Sequence, residues 1–189
     1  MKKRDGMEDR KMVERRVGDA ALRLVRGDIT DMEVEAFVFD ITEDVKLGSG
    51  YGGAIQQRGG IIIQKALDEI GGCPTGEAVV TEAGILKADW IIHANGPKFR
   101  EEDEEGKLRS AVRSAIARAE EKGIKRLAFP PMGTGLYQVP MDLCARVMVD
   151  TISDHLKNET SLEEVLIVAP DNREFEPFKA RFEEGVRDA

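Results

Sequence analysis

Six short, nearly unbroken apolar runs constrain this 189-residue chain more than any other feature. They occupy residues 21–25, 34–39, 78–81, 90–94, 126–130 and 165–169. A strand covered on one face alternates apolar and polar residues. Runs without that alternation fit strands buried on both faces. Between several of them the apolar period changes to that of a helix. Leu108, Ala111, Val112, Ala115, Ile116 and Ala119 form one stripe, and Cys144, Val147, Met148, Thr151, Ile152 and His155 a second. Phe175, Phe178 and Phe182 make a third, opened by Asp171 and Glu174 at capping-box spacing. Ser161 and Glu164 match the same box, but the run that follows is short and β-branched, so a strand is expected there. Helices alternating with buried strands predict an α/β sandwich with helices on both faces. In such folds ligands bind at the carboxyl ends of the strands.

Length and composition narrow the function. The domain is read as residues 20–189, preceded by a charged extension, residues 1–19, whose first sixteen residues hold seven basic and four acidic side chains. A net charge of −8 argues against a nucleic-acid partner, which needs a basic footprint. The apolar runs are too short to span a membrane, and no apolar leader is seen, so a cytoplasmic protein is expected. Cys73 and Cys144 lack metal-ligand spacing and read as free thiols. His93 lies in an apolar run and His155 on an apolar helix face; both read as packed histidines, and neither a metal nor a cofactor is expected.

Four loops carry the candidate chemistry. Gly27-Asp28-Ile29-Thr30 follows the first run. Its carboxylate can accept from an exocyclic amine or a ribose hydroxyl, or it can cap the next turn. Gly48-Ser49-Gly50-Tyr51-Gly52-Gly53 leads into Ala54 and Ile55. Glycines opening a helix let a ligand approach the backbone N–H groups and the positive end of the helix dipole, which suits phosphate, but a flexible loop would look the same. The third loop spans residues 128–140, where Gly133-Thr134-Gly135 offers a second cradle and Tyr137 can pack on a sugar or close the loop. Two facing cradles suit a diphosphate. The fourth is His93-Ala94-Asn95-Gly96-Pro97.

In this order the segments resemble the macro domain family. Gly27-Asp28-Ile29-Thr30 is similar to its first-strand motif, Cys73-Pro74-Thr75-Gly76-Glu77-Ala78 to its CPTGEA stretch, and His93 to Pro97 to HTVGP. Residues 128–140 match AFPxxGTGxYxxP. The resemblance covers roughly residues 21–184. It implies a three-layer α/β/α sandwich with a mixed, mostly parallel sheet of about six strands. It also implies binding of ADP-ribose or an ADP-ribosylated protein. Asp28 would hold the adenine amine, with Ile29 beside the base. Gly50, Tyr51, Gly52 and Gly53, with Met132, Gly133, Thr134, Gly135, Leu136 and Tyr137, would wrap the diphosphate and distal ribose.

The chain departs from the family where it reads Phe39-Asp40-Ile41-Thr42 in place of NAAN. Thr42 stands for the second Asn, and Gly52 for an Asp carried by many hydrolases in the family. The loop after the last run, Val168-Ala169-Pro170-Asp171, lacks the aromatic that often stacks on adenine. These departures favour a binding module with weak or no turnover. A hydrolase of ADP-ribosyl groups or O-acyl-ADP-ribose esters, assisted by Thr42, Asp40 or Tyr137, is the alternative. A divergent interaction scaffold without nucleotide binding is a third reading.

Overall fold

The computed structural model describes residues 12–135 and 137–187. Leu136 and residues 1–11 of the charged extension lie outside the described residues. A seven-stranded sheet runs in the order β1-β2-β7-β6-β3-β5-β4. Its strands are β1 (Met12–Val17), β2 (Ala20–Arg26), β3 (Ala36–Asp40), β4 (Ala78–Glu82), β5 (Trp90–Ala94), β6 (Arg126–Phe129) and β7 (Glu164–Ala169). The five inner strands are parallel, and β1 and β4 close the edges in antiparallel pairing with β2 and β5. Five helices flank the sheet: α1 (Tyr51–Gly59), α2 (Ile62–Ile70), α3 (Glu104–Glu121), α4 (Met141–Leu156) and α5 (Asn172–Arg187).

Each inner strand feeds two cores because successive side chains point to opposite faces. On β7, Val165, Ile167 and Ala169 join the core beneath α3, α4 and α5, while Leu166 and Val168 join the core beneath α1 and α2. On β6, Leu127 and Phe129 face the first core and Ala128 the second. The three helical stripes read from the sequence are buried, including Phe178 and Phe182 on α5, except that His155 at the end of the second is half-buried. The expected α/β/α sandwich is therefore the observed fold, with one correction. The sheet has seven strands, not about six.

The additional strand is β1, which lies inside the stretch read as an extension. Its residues 12–16 alternate between exposed and half-buried, and Glu14, Arg15 and Arg16 leave no apolar run to read. Charged side chains on an edge strand also discourage pairing with another chain. Arg23 of β2 pairs with Glu14 of β1 at 2.6 Å and with the buried Glu164 of β7, which Arg126 of β6 also meets at 2.6 Å. This chain of charges ties four neighbouring strands together. Among the described residues no helix is long and apolar enough to cross a membrane.

The two cysteines are free and buried. His93 is fully buried on β5, with Nε2 2.8 Å from Thr81 Oγ1, and burial pushes its pKa down to about 3, so it stays neutral. His155 packs between α4 and α3, with Nε2 2.8 Å from Glu120. Glu120 also accepts from Ser161 N at 3.0 Å, from Ser161 Oγ at 2.6 Å and from Thr160 Oγ1, pinning the loop that enters β7.

That network yields an acid-stability prediction. Partial burial of Glu120 raises its pKa, but the bonds from Ser161, Thr160 and His155 outweigh burial and hold it at about 2, below the ordinary 4.5. A depressed folded pKa contributes stability that is full above the unfolded value and is lost as pH falls through the folded one. Glu120→Gln is expected to cost about 1–3 kcal/mol at pH 7. The gap from wild type in urea-unfolding free energy should hold nearly constant from about pH 7 to about pH 5, then shrink as the pH falls through about 4.5 toward about 2.

Candidate functional site

All five inner strands point their carboxyl ends to one edge of the sheet, and a cavity of about 440 Å³ opens there. Gly27 and Ile29 follow β2, and Val38, Phe39, Asp40 and Thr42 lie on and after β3. Pro130, Pro131, Thr134 and Gly135 follow β6. Val168 and Pro170 lie at the end of β7, Glu174 on α5, and the loop entering α1 forms the remaining wall.

That loop is built on glycine for two separate reasons. Gly50, the residue before α1, sits at φ 66°, a conformation that costs side-chain-bearing residues energy. Gly52 is buried against the preceding chain, and a Cβ there would lie 1.7 Å from the Leu47 carbonyl oxygen. The intrahelical ladder starts with Ala54 N donating to Gly50 O at 3.0 Å. The N–H groups of the first turn before it have no partner within the helix. Gly50, Tyr51 and Gly52 border the cavity, so the positive end of the α1 dipole faces it. With that close packing, this backbone has no room for an Asp side chain at position 52.

The opposite wall is the loop after β6. Gly133 adopts φ +75°, and a Cβ there would come within 2.7 Å of Val139 Cγ2. Its N–H is directed at Asp40, donating to Oδ2 at 2.7 Å. Asp40 Oδ1 is buried with no hydrogen-bond partner among the described residues. Burial raises the Asp40 pKa; the Gly133 bond only partly opposes this, the Glu174 charge adds to it, and the carboxyl titrates at about 7. Glu174 is itself buried at 9% exposure, and burial together with the charge of Asp171 raises its pKa. Asp171 Oδ1 accepts from Glu174 N at 3.1 Å, as the capping motif predicts. The Glu174 side chain instead borders the cavity, 3.4 Å from Thr134 Oγ1.

The base-facing candidates separate. Ile29 borders the cavity, whereas Asp28 stands behind it as the cap of the short 3-10 turn Ile29–Asp31. Asp28 Oδ1 accepts from Thr30 N at 2.9 Å and Thr30 Oγ1 at 2.7 Å. Arg58 on α1 donates to Asp28 Oδ2 at 3.0 Å and to Thr30 Oγ1 at 2.6 Å. Both roles read for this carboxylate stay chemically open, since Oδ2 has one further lone pair. The apolar surface at this end comes from Ile29, Phe39, Val168 and Pro170, with Tyr51 half exposed at the rim. Phe39, which the family comparison marked only as a replaced Asn, is thus an aromatic on the cavity wall.

Thr42 borders both the main cavity and a second recess of about 350 Å³ that Tyr137 also borders, with Asp44, Asn95 and Glu101. Its hydroxyl donates to Asp44. Gly53, Met132, Gly133 and Tyr137 do not border the main cavity; Met132 is fully buried and Gly133 acts through its N–H to Asp40. Among the described residues no group of His, Cys, Asp and Glu could hold a metal ion.

The chain is similar to known proteins in sequence and fold. Residues 41–148 match the macro domain family. A macro domain-containing protein of Caldanaerobacter subterraneus is 38% identical over 169 residues, 86% of this chain and 96% of its own length. A variant of the Oceanobacillus iheyensis macrodomain, solved with ADPR, superposes with a TM-score of 0.89 at 25% identity, over 94% of this chain and 100% of that one. A Trypanosoma brucei macrodomain in complex with ADP-ribose has a TM-score of 0.80 at 24% identity, over 85% of this chain and 68% of that one. With the fold, the glycine-walled cavity and a full-length relative at that identity in agreement, this chain belongs to the macro domain family.

Proposed function

We propose that the cavity binds ADP-ribose, free or carried on a protein, and turns it over slowly or not at all. The observation that carries this reading is the opening of α1 onto the cavity through Gly50, Tyr51 and Gly52, with Thr134 and Gly135 on the facing wall. A helix amino terminus stripped of side chains is an anion site, and two facing backbone surfaces suit a diphosphate better than a single phosphate. The apolar end formed by Ile29, Phe39, Val168 and Pro170 suits a purine. The ADPR and ADP-ribose held by the two related macrodomains support the same ligand class.

Weak turnover follows from what the reacting end lacks. Thr42 spends its hydroxyl proton on Asp44, and Gly52 has no room for a carboxylate. One observation favours a second reading, a hydrolase of ADP-ribosyl adducts or esters. Asp40, at the cavity wall, titrates near neutrality, as a general acid or base should.

Calorimetric titration separates these readings. ADP-ribose is expected to bind in the micromolar range and at least about tenfold more tightly than AMP, a difference of about 1.4 kcal/mol. Equal affinity for the two would remove the role of the second glycine wall. No release of ADP-ribose from mono-ADP-ribosylated protein is expected at enzyme concentrations equal to substrate; stoichiometric release within minutes would establish the hydrolase.

A glycine pair tests the α1 wall. Gly52→Ala must displace the Leu47 carbonyl or the helix start, and is expected to cost about 1–3 kcal/mol of stability and at least about tenfold in ADP-ribose affinity. Gly53→Ala, whose Cβ would meet the Gly48 carbonyl oxygen at an ordinary 3.4 Å, is expected to leave thermal stability within about 0.5 kcal/mol of wild type.

A further inference from the structure

Asp40 is an unusual wall for an anion pocket. The acidic and basic side chains bordering the cavity, among the described residues, are the carboxyls of Asp40 and Glu174 and the ammonium of Lys46, which is already paired with Asp68 at 2.5 Å. The N–H of Gly133, on the second glycine loop, is taken by the chain's own Asp40 rather than left for a ligand. An anion entering this space with Asp40 ionised meets a buried carboxylate oxygen, Oδ1, that nothing neutralises. Burial of an unpaired charge is costly, and a second negative charge beside it makes ionisation costlier.

The geometry also says which oxygen can carry a hydrogen. Oδ2 is fixed as an acceptor by the Gly133 N–H, while Oδ1 has no partner. A proton placed on Oδ1 removes the repelling charge. Resting on the ADP-ribose reading, we propose that Asp40 links a proton to the ligand's diphosphate: one proton from solvent binds Oδ1 as the ligand binds, so that the buried carboxyl bordering the cavity is neutral when the anion arrives.

The groups facing Asp40 leave it the site of that proton. Gly133 donates to it from the loop after β6 and does not titrate. On α4, Cys144 gives its thiol hydrogen to Met132 O at 3.2 Å and, through burial and the charge of Asp40, stays a thiol. Tyr137 is held as a phenol by burial and by the charges of Asp40, Asp44 and Glu101. His93, opposite Phe39 on the neighbouring strand, stays neutral. Among the described residues, Glu174 on α5 is the other carboxyl that acts on Asp40, and its Thr134 contact gives it a partner that Oδ1 lacks.

The test is calorimetric titration of ADP-ribose between about pH 6 and about pH 9, in buffers of different ionisation enthalpy, with the full chain, Asp40→Asn and Glu174→Gln. The diphosphate does not titrate in this range. Wild type should bind with nearly constant affinity at the acid end, then weaken by up to about tenfold per pH unit at the alkaline end, with proton uptake approaching one per ligand. Asp40→Asn, whose amide is uncharged as the acid is, should bind across the range with neither slope nor uptake. A flat wild-type profile without proton uptake overturns the proposal, and that result stands even if the variant does not fold. Retention of the slope by Asp40→Asn, with its loss in Glu174→Gln, overturns it in favour of Glu174. Absence of binding by every chain at every pH removes the ADP-ribose reading itself.

Discussion

A parallel sheet buried on both faces sends all its strand ends to one edge, and this polarity determines where the chain can act. The five inner strands cannot be joined by tight turns, so each connection crosses a face of the sheet, mostly as a helix. The crossovers bury both faces and leave the loops at the carboxyl edge as the deformable part. Those loops bring together Gly27 and Ile29, Asp40 and Thr42, the α1 entry, Thr134 and Gly135, and Glu174. Residues 93 positions apart, Asp40 and Gly133, meet there at 2.7 Å.

The cavity joins two opposed electrostatic elements. On one wall the backbone presents the positive end of α1, through glycines packed so closely that position 52 excludes any Cβ. On the other, Asp40 and Glu174 present carboxyls that burial drives toward their neutral forms. A positive helix end is unaffected by pH, whereas a carboxyl near neutrality is not. The pocket therefore combines a fixed anion site with a titratable neighbour, and proton and ligand are thermodynamically linked wherever the two act on one bound molecule.

The legibility of this structure followed its physics. Inner strands were visible as unbroken apolar runs because both faces are buried, and β5 was located to the residue. Edge strand β1 was not, since its solvent-facing positions hold Glu14 and Arg16 and the run never becomes apolar. The glycine loops were legible because close backbone approach leaves a residue-type signature. The carboxyls were harder. Asp40 stands in the sequence as part of the NAAN replacement and as a candidate for assisting hydrolysis, but its environment depends on Gly133 and Glu174, both far along the chain. Glu174 was read as part of a helix cap, and only its backbone takes that part. Nor could spacing reveal Arg58 reaching Asp28 from α1.

The most direct measurement of the central claim is a crystal structure of the full chain grown with ADP-ribose. The account predicts the diphosphate between the first turn of α1 and the wall of Thr134 and Gly135, and the adenine on Ile29, Phe39, Val168 and Pro170. Ordered ADP-ribose elsewhere on the molecule, or an unaltered cavity at saturating ligand, would contradict it.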